Sequence, residues 1–244
     1  MACKLCLTDN KLIRNSHIIP DFMYKGLFDN KHRLHEVDVT TGQSLTSKLK
    51  QTGAKEENIL CNHCDNEILG KLERYASMVL YGGIPKTMIT ETDSNGMTYT
   101  HCKELDYSKF KIFLLSLLWR ASISSLPIFE NIKLGPHDDI IRKMILSNTP
   151  DVPAKYPCVM ITYLNLKEMP HQLIGQPSLS REGGGYKYLF LIGGVLYIFY
   201  VSHHNIPSWV HECAINLDGE FRIIHMSQRL AKATINNFLR MDLI

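Results

Sequence analysis

Apolar residues recur at helical spacing in three stretches of residues 107–244. The first stretch, residues 108–125, is followed by Pro127, and a proline cannot continue a helix. The second, residues 136–147, begins with a proline and two acids, which favour a helix N-terminus. The third, residues 227–241, completes a set of three predicted helices. The inward face of the third helix is expected to comprise Leu230, Ile235, Phe238 and Leu239.

Between the second and third helices the apolar pattern changes to the period of β-strands. Two pairs of predicted strands flank two-residue turns, Gly193-Gly194 and Asp218-Gly219, which are typical of β-hairpins. Five antiparallel strands combined with helices predict an α+β domain. The predicted strands cover residues 158–164, 186–192, 195–202, 214–217 and 221–224.

Composition divides the chain into three regions. Residues 1–80 are rich in polar residues and hold four cysteines in two pairs, so we predict a metal-stabilised module there. Residues 81–106 contain glycines, a proline and an Asp-Ser-Asn-Gly run, and are expected to form a loop-like linker. Residues 107–244 carry most of the apolar residues and contain the predicted α+β domain. We expect this last domain to serve targeting or partner binding.

The overall composition is that of a globular protein. Of the 244 residues, 45% are hydrophobic and 21% are charged, which excludes a disordered or collagen-like chain. The net charge of +3 neither requires nor excludes a nucleic-acid partner, so any basic surface must be local. The longest apolar run, residues 188–201, is too short and too interrupted by glycines to span a membrane.

Seven cysteines are present, and four of them form two C-x-x-C pairs, Cys3 with Cys6 and Cys61 with Cys64. Two such turns can supply the four thiolates of a tetrahedral zinc site. A redox pair, or two unrelated thiol pairs, are the alternatives. No export leader precedes the first pair and the cysteine count is odd, so we expect a reducing, cytoplasmic environment. The cysteines expected to be small buried apolar residues are Cys102, Cys158 and Cys213.

Two segments close to the cysteine pairs carry candidate chemistry. Residues 15–20 read NSHIIP, and residues 58–66 read NILCNHCDN around the second pair. Their order resembles that of the HNH, or ββα-metal, nuclease family in its zinc-stapled form, over roughly residues 1–75. A wider likeness to uncharacterised bacterial proteins described as HNH-like, with an SHIIP motif, spans the chain. It implies an N-terminal HNH-like module and, by analogy alone, a setting in phage defence.

The resemblance implies a role for each matching residue. His17 corresponds to the general base that takes a proton from the attacking water. Asp65 falls at the position of a helix ligand for a catalytic Mg²⁺ or Mn²⁺ ion, and Asn58 corresponds to the family's middle asparagine. Structural zinc on the four cysteines would then set the distance between His17 on a strand and Asp65 on a helix.

The sequence departs from the family pattern at two positions. Ser16 stands where the family usually has an acidic metal ligand, and Asn58 lies closer to Cys61 than the family's asparagine does. The site therefore has fewer certain metal ligands than an active member should have. Residues that could compensate or contribute are Glu56, Glu57, His63, Asn66 and Glu73.

Basic residues between the cysteine pairs are candidates for phosphate contacts. Lys48, Lys50 and Lys55 lie between the pairs, and Lys11 and Arg14 precede His17. These features favour a metal-dependent endonuclease that hydrolyses DNA phosphodiester bonds. The alternatives are a catalytically degenerate zinc-binding module that acts through protein partners, and a DNA-binding protein that does not cleave.

Two arginines, Arg120 and Arg142, lie in or beside apolar helix faces. A buried charge is costly unless it is paired. We therefore predict buried ion pairs, with Glu130 or Asp138 as partners.

Overall fold

A mixed β-sheet is the largest unit of the computed structural model, which describes residues 1–31, 33–38, 46–83, 88–169, 171–182, 185–201 and 206–239. Within these residues the sheet has seven strands in the order β5-β6-β11-β7-β10-β9-β8. The β11–β7 pair is parallel and the other neighbours are antiparallel. The strands are β5 (Met88–Thr92), β6 (Thr98–Cys102), β7 (Cys158–Thr162), β8 (Ser178–Glu182), β9 (Gly185–Ile192), β10 (Val195–Tyr200) and β11 (Phe221–His225).

The described residues combine this sheet with α-helices, so the predicted α+β class is confirmed. The helix α2 is buried along most of its length and packs on one sheet face, where Phe110 contacts Phe221 with ring centroids 5.5 Å apart. No helix within the described ranges is both long and apolar enough to cross a membrane. The helices are α1 (Gly70–Tyr81), α2 (Tyr107–Ile123), α3 (His137–Ser147), α4 (Ser208–Cys213) and α5 (Gln228–Leu239), with short 3₁₀ turns at Asp21–Tyr24 and Pro127–Phe129.

The predicted hairpin at Gly193-Gly194 is confirmed. Both glycines have positive φ values, 57° and 82°, as a tight two-residue turn requires, and Val195 pairs with Ile192 directly beside it. The predicted helices over residues 108–125 and 136–147 correspond to α2 and α3.

The second predicted hairpin is wrong. Residues 214–217 form no strand; the Asn216 side chain instead accepts hydrogen bonds from the backbone N–H groups of Asp218 and Glu220 and closes a local turn. The following strand β11 pairs with β6 and, in parallel, with β7. Because parallel pairing joins segments that are distant in sequence, no local pattern predicts it.

Two further expectations are corrected. Residues 81–106 are not loop-like throughout, because β5 and β6 form an antiparallel hairpin that belongs to the sheet. In α5, Ile235 is buried as predicted, but Leu230 is 49% exposed. The side chain of Leu239 lies outside the described residues.

The N-terminal region pairs two very short strands, β1 (Ser16–His17) and β4 (Lys55–Glu56). Between them lies a hairpin of β2 (Leu34–Asp38) and β3 (Thr46–Lys50). A π-helical segment, His63–Leu69, continues directly into α1. Buried residues of this region, such as Ile18 and Leu60, belong to the same apolar cluster as α2 and the sheet.

Candidate functional site

The two cysteine pairs converge on one point. The sulfur atoms of Cys3, Cys6, Cys61 and Cys64 all lie within 4.8 Å of one another. The sulfurs of Cys6 and Cys61 are 4.0 Å apart. A tetrahedral zinc ion with Zn–S bonds of about 2.3 Å separates its sulfurs by about 3.8 Å, so this donor set fits zinc. The predicted convergence of the two pairs is therefore confirmed.

Backbone hydrogen bonds hold the first pair against the second. The N–H of Lys4 donates to Ile59 O, and the N–H of Ile13 donates to Leu60 O, each at 2.9 Å. Leu7 adopts a positive φ of 60°, and its N–H closes the first turn on Cys3 O. The segment before Cys61 is thus hydrogen-bonded to the first C-x-x-C turn and to the residues that follow it.

The protonation chemistry of the four thiols also fits a cation. Burial and the adjoining sulfurs raise the pKa of Cys64, and burial raises the pKa of Cys3. Burial opposes ionisation of Cys6 as well, but hydrogen bonds from Thr8 lower the pKa of its thiol to about 6. Four crowded thiols cannot all ionise without a positive ion among them, and zinc would supply that charge.

His17 lies on β1, with its ring 27% exposed. Its Nε2 is covered by protein, makes no hydrogen bond among the described residues and lies 3.7 Å from Asp21 Oδ1. Burial and the charge of Lys55 lower the pKa of His17, against smaller opposing effects of Asp21 and Glu73. The imidazole is therefore neutral at neutral pH.

Asp65 follows Cys64 in the first turn of the π-helical segment, where its N–H donates to Cys61 O. Burial raises the pKa of the Asp65 carboxyl, partly offset by Arg120 and by the nearby Ser16 hydroxyl. Ser16 is fully buried, and its Oγ forms no hydrogen bond of good geometry with any described residue. Ser16 is thus a neighbour of Asp65.

Arg120 of α2 links the two predicted site residues. It is 1% exposed and its Nη1 donates to Glu73 Oε1 at 2.5 Å and to His17 O at 3.1 Å. Glu73 and Arg120 act electrostatically on both His17 and Asp65. No direct hydrogen bond or ion pair joins His17 to Asp65 within the described part of the chain, so the Glu73–Arg120 pair is what they share.

Buried arginine ion pairs were predicted, but the partners are different. Arg120 pairs with Glu73, and Arg142 pairs with Asp139 at 2.6 Å, rather than either arginine with Glu130 or Asp138. Sequence analysis also missed Asp21, whose position four residues after His17 is the pattern that could have revealed it.

Asn58 has a structural position. It is exposed, adopts a positive φ of 59°, and its N–H donates to Ile13 O. Its neighbour Glu56 accepts hydrogen bonds from Ser124 and Ser125 at the end of α2. The other residues named above as possible contributors, Glu57, His63 and Asn66, are exposed.

The candidate phosphate-contacting lysines are spread over two strands. Lys48 lies opposite Glu36 in the β2–β3 hairpin, and its side chain falls outside the described residues. Lys50 is exposed at the end of that hairpin. Lys55 lies directly opposite His17 in β4. Lys11 and Arg14 are exposed on the approach to β1.

Among the residues that the structure describes, the four cysteines are the one group of three or more potential metal ligands close enough to share an ion. Within the same described residues, Asp65 therefore belongs to no group of three or more potential metal ligands. Comparisons with protein-family models, curated proteins and solved structures find no match to this chain.

Proposed function

We propose that this chain is a metal-dependent endonuclease of the HNH type that hydrolyses DNA phosphodiester bonds and carries a structural zinc ion on its four cysteines. One observation carries the proposal. His17, on a strand between the two cysteine pairs, and Asp65, at a helix start directly after the second pair, are both acted on by the Glu73–Arg120 ion pair. A neutral imidazole can act as the general base of phosphodiester hydrolysis, and a carboxylate can hold the divalent ion that assists it.

In the proposed reaction His17 is the general base. Its lowered pKa keeps the ring neutral at pH 7, as a base must be. Because Nε2 faces Asp21 and is covered, Nδ1 is the nitrogen that accepts the proton of the attacking water. The hydrogen bond from Arg120 to His17 O holds in place the strand that carries the imidazole ring.

Asp65 is the proposed ligand of a catalytic Mg²⁺ or Mn²⁺ ion, with the Ser16 hydroxyl beside it. Mg²⁺ is commonly held by one or two carboxylates together with waters and substrate phosphate, so a single aspartate fits. When bound, such an ion stabilises negative charge on the phosphate and the leaving oxygen. Glu73 is paired with Arg120, so its carboxylate balances the charge of the arginine and does not bind the catalytic ion.

The test is nicking of supercoiled plasmid DNA by the zinc-loaded protein with Mg²⁺ or Mn²⁺. His17→Ala should slow cleavage by roughly 10²–10⁴-fold, the usual contribution of a general base. His211→Ala, which removes an exposed histidine of α4, is the matched control and should cleave normally. The wild-type rate should fall as the pH drops below the ordinary histidine value of 6.5, because the protonated ring cannot accept a proton. Equal cleavage by wild type and His17→Ala would refute the proposal.

A catalytically degenerate module is the second candidate. It is favoured by the serine at position 16 and by the lack of a second multi-ligand cluster within the described ranges. Such a protein would act through protein partners, or would bind DNA in a salt-dependent way without cutting it. Calorimetric titration of Mn²⁺ into the zinc-loaded protein separates the two candidates. The nuclease requires a Mn²⁺ site that Asp65→Asn removes, whereas the degenerate module predicts none.

A further inference from the structure

The register of the β1–β4 ladder places Lys55 directly across from His17. The N–H of Ile18 donates to Ala54 O at 3.0 Å, which makes His17 and Lys55 a non-hydrogen-bonded pair. Side chains in such a pair point to the same face, with their Cβ atoms about 5 Å apart. The imidazole and the lysine stem therefore leave the ladder side by side.

Lys55 is left without a counter-ion within the described part of the chain. It is half-buried and has no ion pair or side-chain hydrogen bond to any residue that the structure describes. Four charged groups act on His17: Lys55 from β4, Asp21 from the 3₁₀ turn, Glu73 from α1 and Arg120 from α2. Because Arg120 is neutralised by Glu73, Lys55 is the uncompensated cation beside the ring.

We propose that Lys55 is a catalytic residue that binds a non-bridging oxygen of the scissile phosphate while His17 activates the attacking water. This inference rests on the proposed nuclease function and adds the group that recognises the anionic substrate.

The proposed chemical step is the hydrolysis of one P–O bond. The water oxygen forms a bond to phosphorus as its proton passes to His17, and the bond from phosphorus to the leaving oxygen breaks. The leaving oxygen then takes a proton from solvent water. Lys55 transfers no proton in this step and stabilises the charge that gathers on the non-bridging oxygen.

The first experiment follows the His17 ring by NMR in the zinc-loaded 244-residue chain, and it does not depend on cleavage. Lys55→Met should raise the pKa of His17, because it removes the nearest uncompensated positive charge. Lys55→Arg should leave that pKa near the wild-type value. Lys143→Met, which removes an exposed charge on α3, is the control for net charge and should have no effect. An unchanged His17 pKa in Lys55→Met would overturn the proposed geometry.

The second experiment measures phosphate binding and cleavage with the same variants. Inorganic phosphate should shift the His17 resonances of the wild type and Lys55→Arg, and should leave those of Lys55→Met unchanged. In plasmid cleavage Lys55→Met should lower kcat by roughly 10²–10³-fold, the usual loss when one transition-state donor is removed. Lys55→Arg should lose less.

The outcomes separate the two hypotheses. A wild-type protein that binds phosphate through Lys55 but cuts no DNA would refute the nuclease function and still support Lys55 as an anion-binding group. A Lys55→Met variant that cuts DNA at the wild-type rate would refute the catalytic role of Lys55 and leave the nuclease function standing.

Discussion

Arg120 is the residue on which the candidate site depends most directly. Its guanidinium is almost fully buried, donates to Glu73 and to His17 O, and its Nε and Nη2 donate to Ser116 of its own helix. A buried arginine is tolerated only when its donors are satisfied, and here Nε, Nη1 and Nη2 all donate to protein groups. Glu73, with 25% of its side chain exposed, is the only carboxylate among these described partners.

Removing Arg120 should therefore destabilise the fold strongly. We expect Arg120→Met to lower the free energy of unfolding by about 3–5 kcal/mol, because it leaves the Glu73 carboxylate and His17 O without their buried donor. Chemical denaturation followed by circular dichroism measures this loss. In the double variant Arg120→Met/Glu73→Gln part of the loss should be recovered, because no unpaired charge remains.

Arg74→Met is the control for this series, since Arg74 is exposed on α1 beside Glu73. It should change the free energy of unfolding by no more than about 0.5 kcal/mol. A single Arg120→Met variant as stable as Arg74→Met would show that the Glu73–Arg120 pair does not support the fold.

At the scale of elements, the end of α2 acts as a brace for the N-terminal strands. Arg120 binds His17 O on β1, Ser124 and Ser125 bind the Glu56 carboxylate on β4, and Lys4 Nζ donates to Ile123 O at 2.6 Å. Both strands of the ladder and the first cysteine turn are therefore tied to one helix end.

Local patterns predicted elements whose determinants are adjacent in sequence. The Gly193-Gly194 hairpin could be predicted because its turn and both of its strands lie within one short stretch. The cysteine cluster could be predicted because C-x-x-C turns serve few purposes in proteins, and metal binding is one of them. The Glu73–Arg120 pair joins residues 47 positions apart, and the parallel pairing of β11 with β7 joins segments further apart still. Such long-range contacts depend on how helices and strands pack against one another. The spacing of residues in a single sequence does not reveal that packing.

Gly219 marks the turn that replaces the second predicted hairpin, and it is a sensitive position. Its φ is +73°, and an added Cβ would lie 2.0 Å from Leu105 O. Gly219→Ala should therefore cost the roughly 1–2 kcal/mol of a left-handed backbone, plus the displacement of Leu105, whose N–H donates to Gly219 O.

The matched control is Gly96→Ala, because Gly96 has a similar φ of +79° but nothing within 4 Å of the methyl group that an alanine would add. Both variants share the left-handed cost, so the difference between their unfolding free energies isolates the clash. We expect Gly219→Ala to be less stable than Gly96→Ala by at least about 1 kcal/mol. Equal stabilities would contradict the close approach of the turn to Leu105.

At the scale of the whole molecule, the cysteine cluster and the sheet are parts of one apolar core. The buried cysteines Cys3, Cys61 and Cys64 lie in the same cluster as Trp119 of α2 and Phe221 of β11. The chain between the two cysteine pairs contains β1 to β4, so an ion on the four sulfurs would restrain that whole segment. Loss of the ion should therefore destabilise parts of the fold beyond the residues that bind it.

Removal of zinc is expected to unfold the protein in one transition. Structural zinc contributes on the order of 10 kcal/mol to the folding of zinc-finger peptides, which is comparable with the entire stability of a typical domain. The double variant Cys61→Ser/Cys64→Ser should lose the bound zinc and melt far below the wild type, with sheet and N-terminal signals changing together. Cys213→Ala, which changes a buried cysteine of the other apolar cluster, should keep its zinc. Mass spectrometry measures the zinc content, and thermal unfolding measures the Tm. A double variant that keeps full zinc occupancy and the wild-type Tm would contradict the assignment of the four cysteines as zinc ligands.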